Sequence, residues 1–398
     1  MKDRIIIVIG SGHLAHRLKK YLHTRGYNVI NTNIDLINAE SDSISLIENL
    51  AEYINKFELT DIAMIYLLED KDENNLQLII SLISLIINVP ITAALFNENL
   101  IPHLQQEHIN LKILNPSKIA APSFVEQLYL EINSEALFPN KLSDIDRQPK
   151  KLTLIHKLLL SFITLLLAAV CFFHFYENLA WIDAFYFVIV TAASVGYGDI
   201  NLAKSAVLSK VIVMVLITIS TIAIWMIFSL TIDGFLRRRI QHELGRKKYV
   251  LQNHVIVCGL GRLGYFIALE LLQRKEKIII IEQNENSNHI DYLRQLGAEV
   301  YLGDARLPKV IRDVNVGKAK ALISVINNDS LNLEIGLNAR SHQPNVKLIL
   351  RIFDDQMAER IKDYLQIYHS VSASAIANDV FYRELTKSSK AAHERLNN

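Results

Sequence analysis

Six consecutive residues, Ser194-Val195-Gly196-Tyr197-Gly198-Asp199, combine a hydroxyl, two glycines and two bulky side chains in an order suited to holding a dehydrated cation. The chemistry needs backbone carbonyls aimed to one side, where they replace the ion's water shell. Gly196 and Gly198 permit the backbone angles that aim successive carbonyls the same way. The Ser194 hydroxyl adds a side-chain oxygen at one end, while Val195 and Tyr197 turn away and brace the segment. One chain supplies one such segment and a ring of carbonyls needs four, so the reading requires a homotetramer. This segment is the only place where the sequence calls for a metal ion.

A second constellation is Gly259-Leu260-Gly261-Arg262-Leu263-Gly264. It follows the β-branched run His254–Cys258 and opens a helical pattern, the setting of a dinucleotide-binding turn. Gly259 allows the tight turn, Gly261 lets backbone approach a pyrophosphate, and Gly264 allows close helix–strand packing. The helix N-terminus offers amide donors, and Arg262 adds a charge. The next strand ends at Glu282, placed to bond ribose hydroxyls. Asp304 and Ala305 follow a third strand at the same sheet edge. The expected ligand is an adenine nucleotide or NAD(H).

Both constellations need scaffolds. Leu158 to Tyr176 carries no formal charge and Val211 to Ile232 none either, and each is long enough to cross a bilayer as a helix. The alternative, two buried helices of a large soluble core, is disfavoured by the segment between them. That segment, Ala184 to Gly198, is too short to span and reads as re-entrant, with a pore helix over 184–193 and a filter over 194–199. Non-helical backbone is tolerated at membrane depth where it lines a water-filled path. The expected module is 150–240, with an outer helix over about 157–176 and an inner helix over about 206–233. Arg147, Lys150, Lys151 and Lys157 precede the first span, and Arg237, Arg238, Arg239, Arg246, Lys247 and Lys248 follow the second. The positive-inside rule then places both termini in the cytoplasm of a multi-pass cell-membrane protein in contact with lipid.

On either side, over 1–145 and 249–390, short β-branched runs alternate with amphipathic stretches, which implies Rossmann-like parallel sheets covered by helices. These blocks are repeats. "IIVIGSGHLAHRLKKYLHTRGYNVINTN" aligns without a gap on "VIVCGLGRLGYFIALELLQRKEKIIIIE", and "ITAALFNENLIPHLQQ" on "LILRIFDDQMAERIKD". The first copy is degraded: Gly10 and Gly12 remain, Ala15 replaces the third glycine, His13 replaces Arg262 and Asn33 replaces Glu282. It is expected to fold alike and bind no nucleotide.

Composition sets the remaining bounds. The 398 residues are 51% hydrophobic with a formal charge of +1, so no global signal points to nucleic acid. Mean hydropathy is +0.20. The two cysteines, Cys171 and Cys258, lie far apart and suggest neither a disulfide framework nor a metal cluster. The N-terminal apolar run is too short for a signal peptide.

The chain resembles the two-span potassium channels that carry cytoplasmic RCK (regulator of potassium conductance, TrkA-N-like) domains, over nearly its whole length. The resemblance implies a membrane protein with an α-helical pore and a re-entrant filter, flanked by two α/β lobes. K+ is then the permeant ion, and a nucleotide regulates gating without reacting. The family filter reads Thr-Val-Gly-Tyr-Gly-Asp, with Ser194 here replacing the threonine. No arginine-bearing voltage-sensor helix precedes the first span. At the family's inner-helix glycine hinge stands Thr218, with Ser220 nearby. The smaller C-terminal lobe of many RCK chains is not expected here. Two rival readings differ in class. A membrane-anchored NAD(P)-dependent oxidoreductase needs a substrate domain with acid–base residues, where this chain has spans; no enzyme activity is expected. A transporter of the Trk/Ktr kind carries four filter segments per chain, and this chain has one.

Overall fold

The computed structural model describes residues 4–37, 43–85, 88–108, 110–130, 154–365, 367 and 369–396. Two compact units emerge, one within Met1–Leu142 and Gly245–Asn398, the other within Ser143–Leu244.

The first unit holds two parallel sheets. β1 (Ile5–Ile9), β2 (Asn28–Thr32), β3 (Ile62–Leu67), β4 (Ile91–Ala94) and β5 (Leu111–Leu114) are ordered β2-β1-β3-β4-β5. β6 (His254–Cys258), β7 (Ile278–Glu282), β8 (Glu299–Leu302), β9 (Ala319–Ser324), β10 (Lys347–Arg351) and β11 (His369–Val371) are ordered β11-β10-β9-β6-β7-β8. The second order is that of a dinucleotide-binding Rossmann sheet. Runs such as Ile-Ile-Ile-Val-Ile and His-Val-Ile-Val-Cys are covered on both faces, which is why they lack polar alternation. β5 and β11 are edge strands of three or four residues whose sequences, Leu-Lys-Ile-Leu and His-Ser-Val, carry no β-branched run of the kind that marks the central strands. Among the described residues the first sheet has no counterpart of β8, the strand that precedes Asp304 in the second.

The repeat extends to single hydrogen bonds. Asn75 Nδ2 donates to Glu69 O at 2.8 Å and Ala94 O at 2.9 Å. In the second lobe Asn332 Nδ2 donates to Ile326 O at 2.8 Å and Arg351 O at 2.9 Å. Asp72 likewise accepts the amides of Phe96 and Asn97, as Asp329 accepts those of Phe353 and Asp354.

The lobes exchange their last helices. Pro116–Tyr129 of the first lobe packs on Arg262–Gln273 of the second, and Ala373–Leu396 of the second packs on His13–Thr24 of the first. Ala377, Phe381 and Leu385 are completely buried against Ile6, Val8, Leu18 and Tyr66. At the other junction Lys347 Nζ donates to the carbonyls of Gln127, Leu128 and Leu130, satisfying the end of the exchanged helix. Each lobe thus lacks a covering helix that only its partner repeat supplies.

The second unit contains helices Leu154–Tyr176, Trp181–Ala192 and Val207–Glu243. The short helix begins three residues before the expected 184, with Asp183 favourably placed in its first turn. The last helix runs ten residues past the expected 233: it continues through Gly234 into a stretch with three arginines, a residue type that favours helix. His156–Tyr176 and Val207–Asp233 are long and apolar enough to cross a membrane. Their apolar side chains are mostly uncovered: Leu160 is 62% exposed and Trp225 67%. A soluble core helix would bury such residues, and their exposure is that of membrane helices. The short helix is wedged between the spans through Phe173, Ala184, Phe187, Val188 and Leu216.

Candidate functional site

In the second unit the segment after Trp181–Ala192 alternates backbone hands. Ser194 has φ of 57°, Gly196 of 55° and Gly198 of 81°. Left-handed residues at every second position turn successive carbonyls the same way, and for Ser194 that conformation is uncommon enough to mark a site. The left-handed Ser194 escapes sequence reasoning, which reserves such angles for glycine. The amides of Val195 and Gly196 donate to Val190 O at 3.0 and 3.3 Å, fastening the segment to the helix end. Ser194 Oγ lies 3.4 Å from Thr221 Oγ1 on the inner helix. Val195 and Tyr197 are 53% and 73% exposed in the single chain. Glu177 accepts from Ser205 Oγ at 2.9 Å and from Ser209 Oγ, tying the end of the outer span to the start of the inner one. Thr218 and Ser220 bond back to Met214 O and Ile217 O within a continuous helix.

In the first unit a cavity of about 620 Å³ opens between the two glycine turns. It is of a size that takes a nucleotide-like ligand. Gly259, Gly261, Arg262, Leu263, Glu282, Asp304 and Ala305 line it, together with Gly12, Glu69, Asp70, Phe96 and Arg351. Gly264 lies beneath the turn instead: a Cβ there would come 2.0 Å from Gly259 O. Gly10 and Ala15 are also outside the lining, whereas Gly12 reaches it.

The two turns differ in what stands over them. A Cβ at Gly261 would meet nothing within 4 Å, whereas one at Gly12 would fall 2.0 Å from Asp70 Oδ1. The first lobe therefore sets its own carboxylate above the helix N-terminus where an anion would sit. Glu69 completes the closure, accepting Ile34 N–H at 2.9 Å and reaching Ser11 Oγ at 3.5 Å. Asn33 spends its side-chain oxygen on Leu36 N–H at 2.9 Å. In the second lobe Glu282 performs the fastening, accepting Leu260 N–H at 2.6 Å and Asn284 N–H at 2.7 Å. Each of its oxygens keeps a lone pair for a ribose hydroxyl. Asp304 is held by Arg306 at 2.6 Å, and that bond keeps its carboxyl below the ordinary carboxylate range.

Arg262, read from the sequence as a phosphate partner, reaches across to the first lobe. It donates to Asp70 O and stacks 3.9 Å from the Phe96 ring centroid. The repeat mirrors this contact: the His13 ring lies against Phe353, centroids 3.8 Å apart and tilted by 40°. Glu69, Asp70, Phe96 and Arg351 are cavity residues that the sequence reading missed. A charge closing the apolar run Leu348–Leu350, set against Ala94 in the repeat, was the available signal for Arg351.

Residues 160–237 match the ion channel family model and residues 255–373 the TrkA-N domain model. The chain is 31% identical over 179 residues to potassium channel protein 1 of Methanocaldococcus jannaschii, covering 44% of this chain and 54% of that one. It is 30% identical over 186 residues to the voltage-gated potassium channel Kch of Escherichia coli, covering 45% and 43%. The chain spans about half the length of the curated relatives it matches. Among solved structures it resembles the GsuK channel, with a TM-score of 0.54 at 13% identity over 97% of this chain and 70% of that one. The ADP-bound crystal structure of GsuK aligns with a TM-score of 0.51 at 12% identity, over 96% and 69%. The chain is thus homologous to potassium channel proteins, with an ion-channel segment between Rossmann-like lobes, the second of which is a TrkA-N domain.

Proposed function

We propose that this chain is one subunit of a homotetrameric potassium channel gated by a nucleotide held in its cytoplasmic lobes. The observation that carries the reading is the alternation of left-handed residues at Ser194, Gly196 and Gly198, set between two exposed apolar helices. Four copies of Ser194 to Gly198 would close a ring of carbonyls around dehydrated K+. The domains we assign are a lobe over 1–145, a pore over 150–240 and a lobe over 249–390. The lysine and arginine excess around the spans supports a cell-membrane protein with both termini in the cytoplasm.

The ligand we assign is an adenine nucleotide or NAD(H), bound against the turn Gly259–Gly264 with Glu282 on the ribose and Asp304 and Ala305 beside it. The open space over Gly261 supports this placement, and the Asp70 carboxylate over Gly12 supports four ligands per tetramer instead of eight. ADP is the first compound to test, since the fold relative GsuK has been crystallised with it. Binding shifts gating only by its differential affinity for the open and closed states. The channel reading accounts for the single filter segment. Single-channel recording on the purified, reconstituted chain tests it. Step currents in K+ that vanish in Na+, with an open probability altered by ADP or NAD(H), are expected. Smooth, carrier-rate flux would refute the channel.

A further inference from the structure

We propose that Arg351 is the phosphate-recognition residue of the cavity, selecting ligands by a phosphoryl group beside the Gly261 turn. This rests on the nucleotide reading above and adds the element that chooses among nucleosides, nucleotides and free phosphate.

Arg351 closes β10, lines the cavity and is half-buried. Among the described residues its guanidinium makes no hydrogen bond or ion pair. A half-buried guanidinium is normally satisfied by a carboxylate, since even partial loss of water is costly for a charge. Neither acid that acts on it through space, Asp329 or Asp70, forms an ion pair with it. Asp329 accepts the amides of Phe353 and Asp354 at 2.9 and 3.0 Å, and Asp70 stands over Gly12. Burial accordingly pulls the guanidinium below its ordinary pKa, with Asp329 and Asp70 opposing that pull only through space. Five planar N–H donors are left facing a cavity that also offers the helix N-terminus at Gly261. A phosphoryl group matches such a fork bidentately.

The repeat excludes a purely structural role. Position 351 corresponds to Ala94, and both backbones accept the same asparagine bond at 2.9 Å. The strand therefore folds equally well with alanine there. The lobe that keeps the arginine is the one with open space over its glycine turn, whereas the lobe with alanine covers its turn with its own carboxylate.

The test is calorimetry on the full chain with ADP, AMP, adenosine and inorganic phosphate, comparing wild type, Arg351→Ala and Arg351→Lys. Wild type should prefer ADP and AMP over adenosine. Arg351→Ala should weaken ADP about ten- to a hundredfold, leave adenosine unchanged and keep the wild-type unfolding temperature. Arg351→Lys should recover part of the loss. If Arg351→Ala fails to assemble, Arg351→Gln, which keeps much of the length and loses the charge, must show the same selective loss. Equal ADP affinity in wild type and the charge-removing variants overturns the proposal while leaving nucleotide binding intact. Wild type that binds inorganic phosphate as tightly as ADP overturns the nucleotide as the source of the phosphoryl group. Wild type that binds none of the four overturns the nucleotide reading and this proposal together.

Discussion

The substitution Gly261→Ala separates binding from folding more cleanly than any other in the cavity. Gly261 has φ of −78° and ψ of −169°, an extended conformation open to alanine, and a Cβ there would meet nothing within 4 Å. Folding should therefore not suffer, and lower entropy in the unfolded chain should add about 0.4–1 kcal/mol. The new methyl would project toward the space a phosphate must enter to reach the helix N-terminus. Losing one charge-assisted bond to backbone costs about 1.5–3 kcal/mol, so ADP affinity should fall about ten- to 150-fold. Two neighbouring glycines are the controls. A Cβ at Gly264 would lie 2.0 Å from Gly259 O, a backbone atom that cannot swing aside, so Gly264→Ala should destabilise by about 1–3 kcal/mol. A Cβ at Gly12 would meet only the Asp70 carboxylate, a side chain free to rotate, so Gly12→Ala should leave ADP affinity unchanged. Thermal unfolding and calorimetry on the same preparations read both effects. Unaltered affinity in Gly261→Ala, or an equal loss in Gly12→Ala, would refute the assignment of the ligand to the second turn.

In the pore, Gly196→Ala or Gly198→Ala forces a side chain into a left-handed conformation costing about 1–2 kcal/mol, so potassium current should disappear while tetramers still form; K+-selective currents in either variant would remove the segment from consideration as a filter. Phe381→Ala empties a fully buried site between the repeats and should cost about 3–5 kcal/mol in urea unfolding, whereas an unshifted midpoint would mean the exchanged helix does not hold the lobes together. His254 is fully buried, with Nε2 2.9 Å from Val314 O, and burial lowers its pKa below 6.5. Between the folded value and 6.5 the unfolded chain binds more protons, so stability should be complete above pH 6.5 and fall as pH drops, by at most ~1.4 kcal/mol per pH unit from this group. His254→Gln should flatten that dependence, and an unchanged pH profile would reject the role of His254.

What the sequence by itself determined is local. The two apolar helices follow from uninterrupted apolar runs, the proposed filter from glycines at alternate positions, and the TrkA-N turn from three glycines between a strand and a helix. The repeat also announced itself, because residues that fasten the same backbone recur at the same spacing. Tertiary structure decided everything that depends on which segment meets which. The exchange of last helices joins Phe381 to Tyr66, 315 residues apart. Asp70 covers Gly12 only because the end of β3 lies beside β1, and no pattern along the chain records that adjacency. Arg262 looked like a phosphate ligand from its place in the turn, yet the facing lobe offers it Asp70 O and the Phe96 ring. Arg351 looked like the end of a strand, and only its position against the cavity leaves it open to a ligand. Runs and periodicities fix secondary structure because they act over a few residues. The chemistry of a cavity is set by burial and partner choice, which exist only once distant segments have packed.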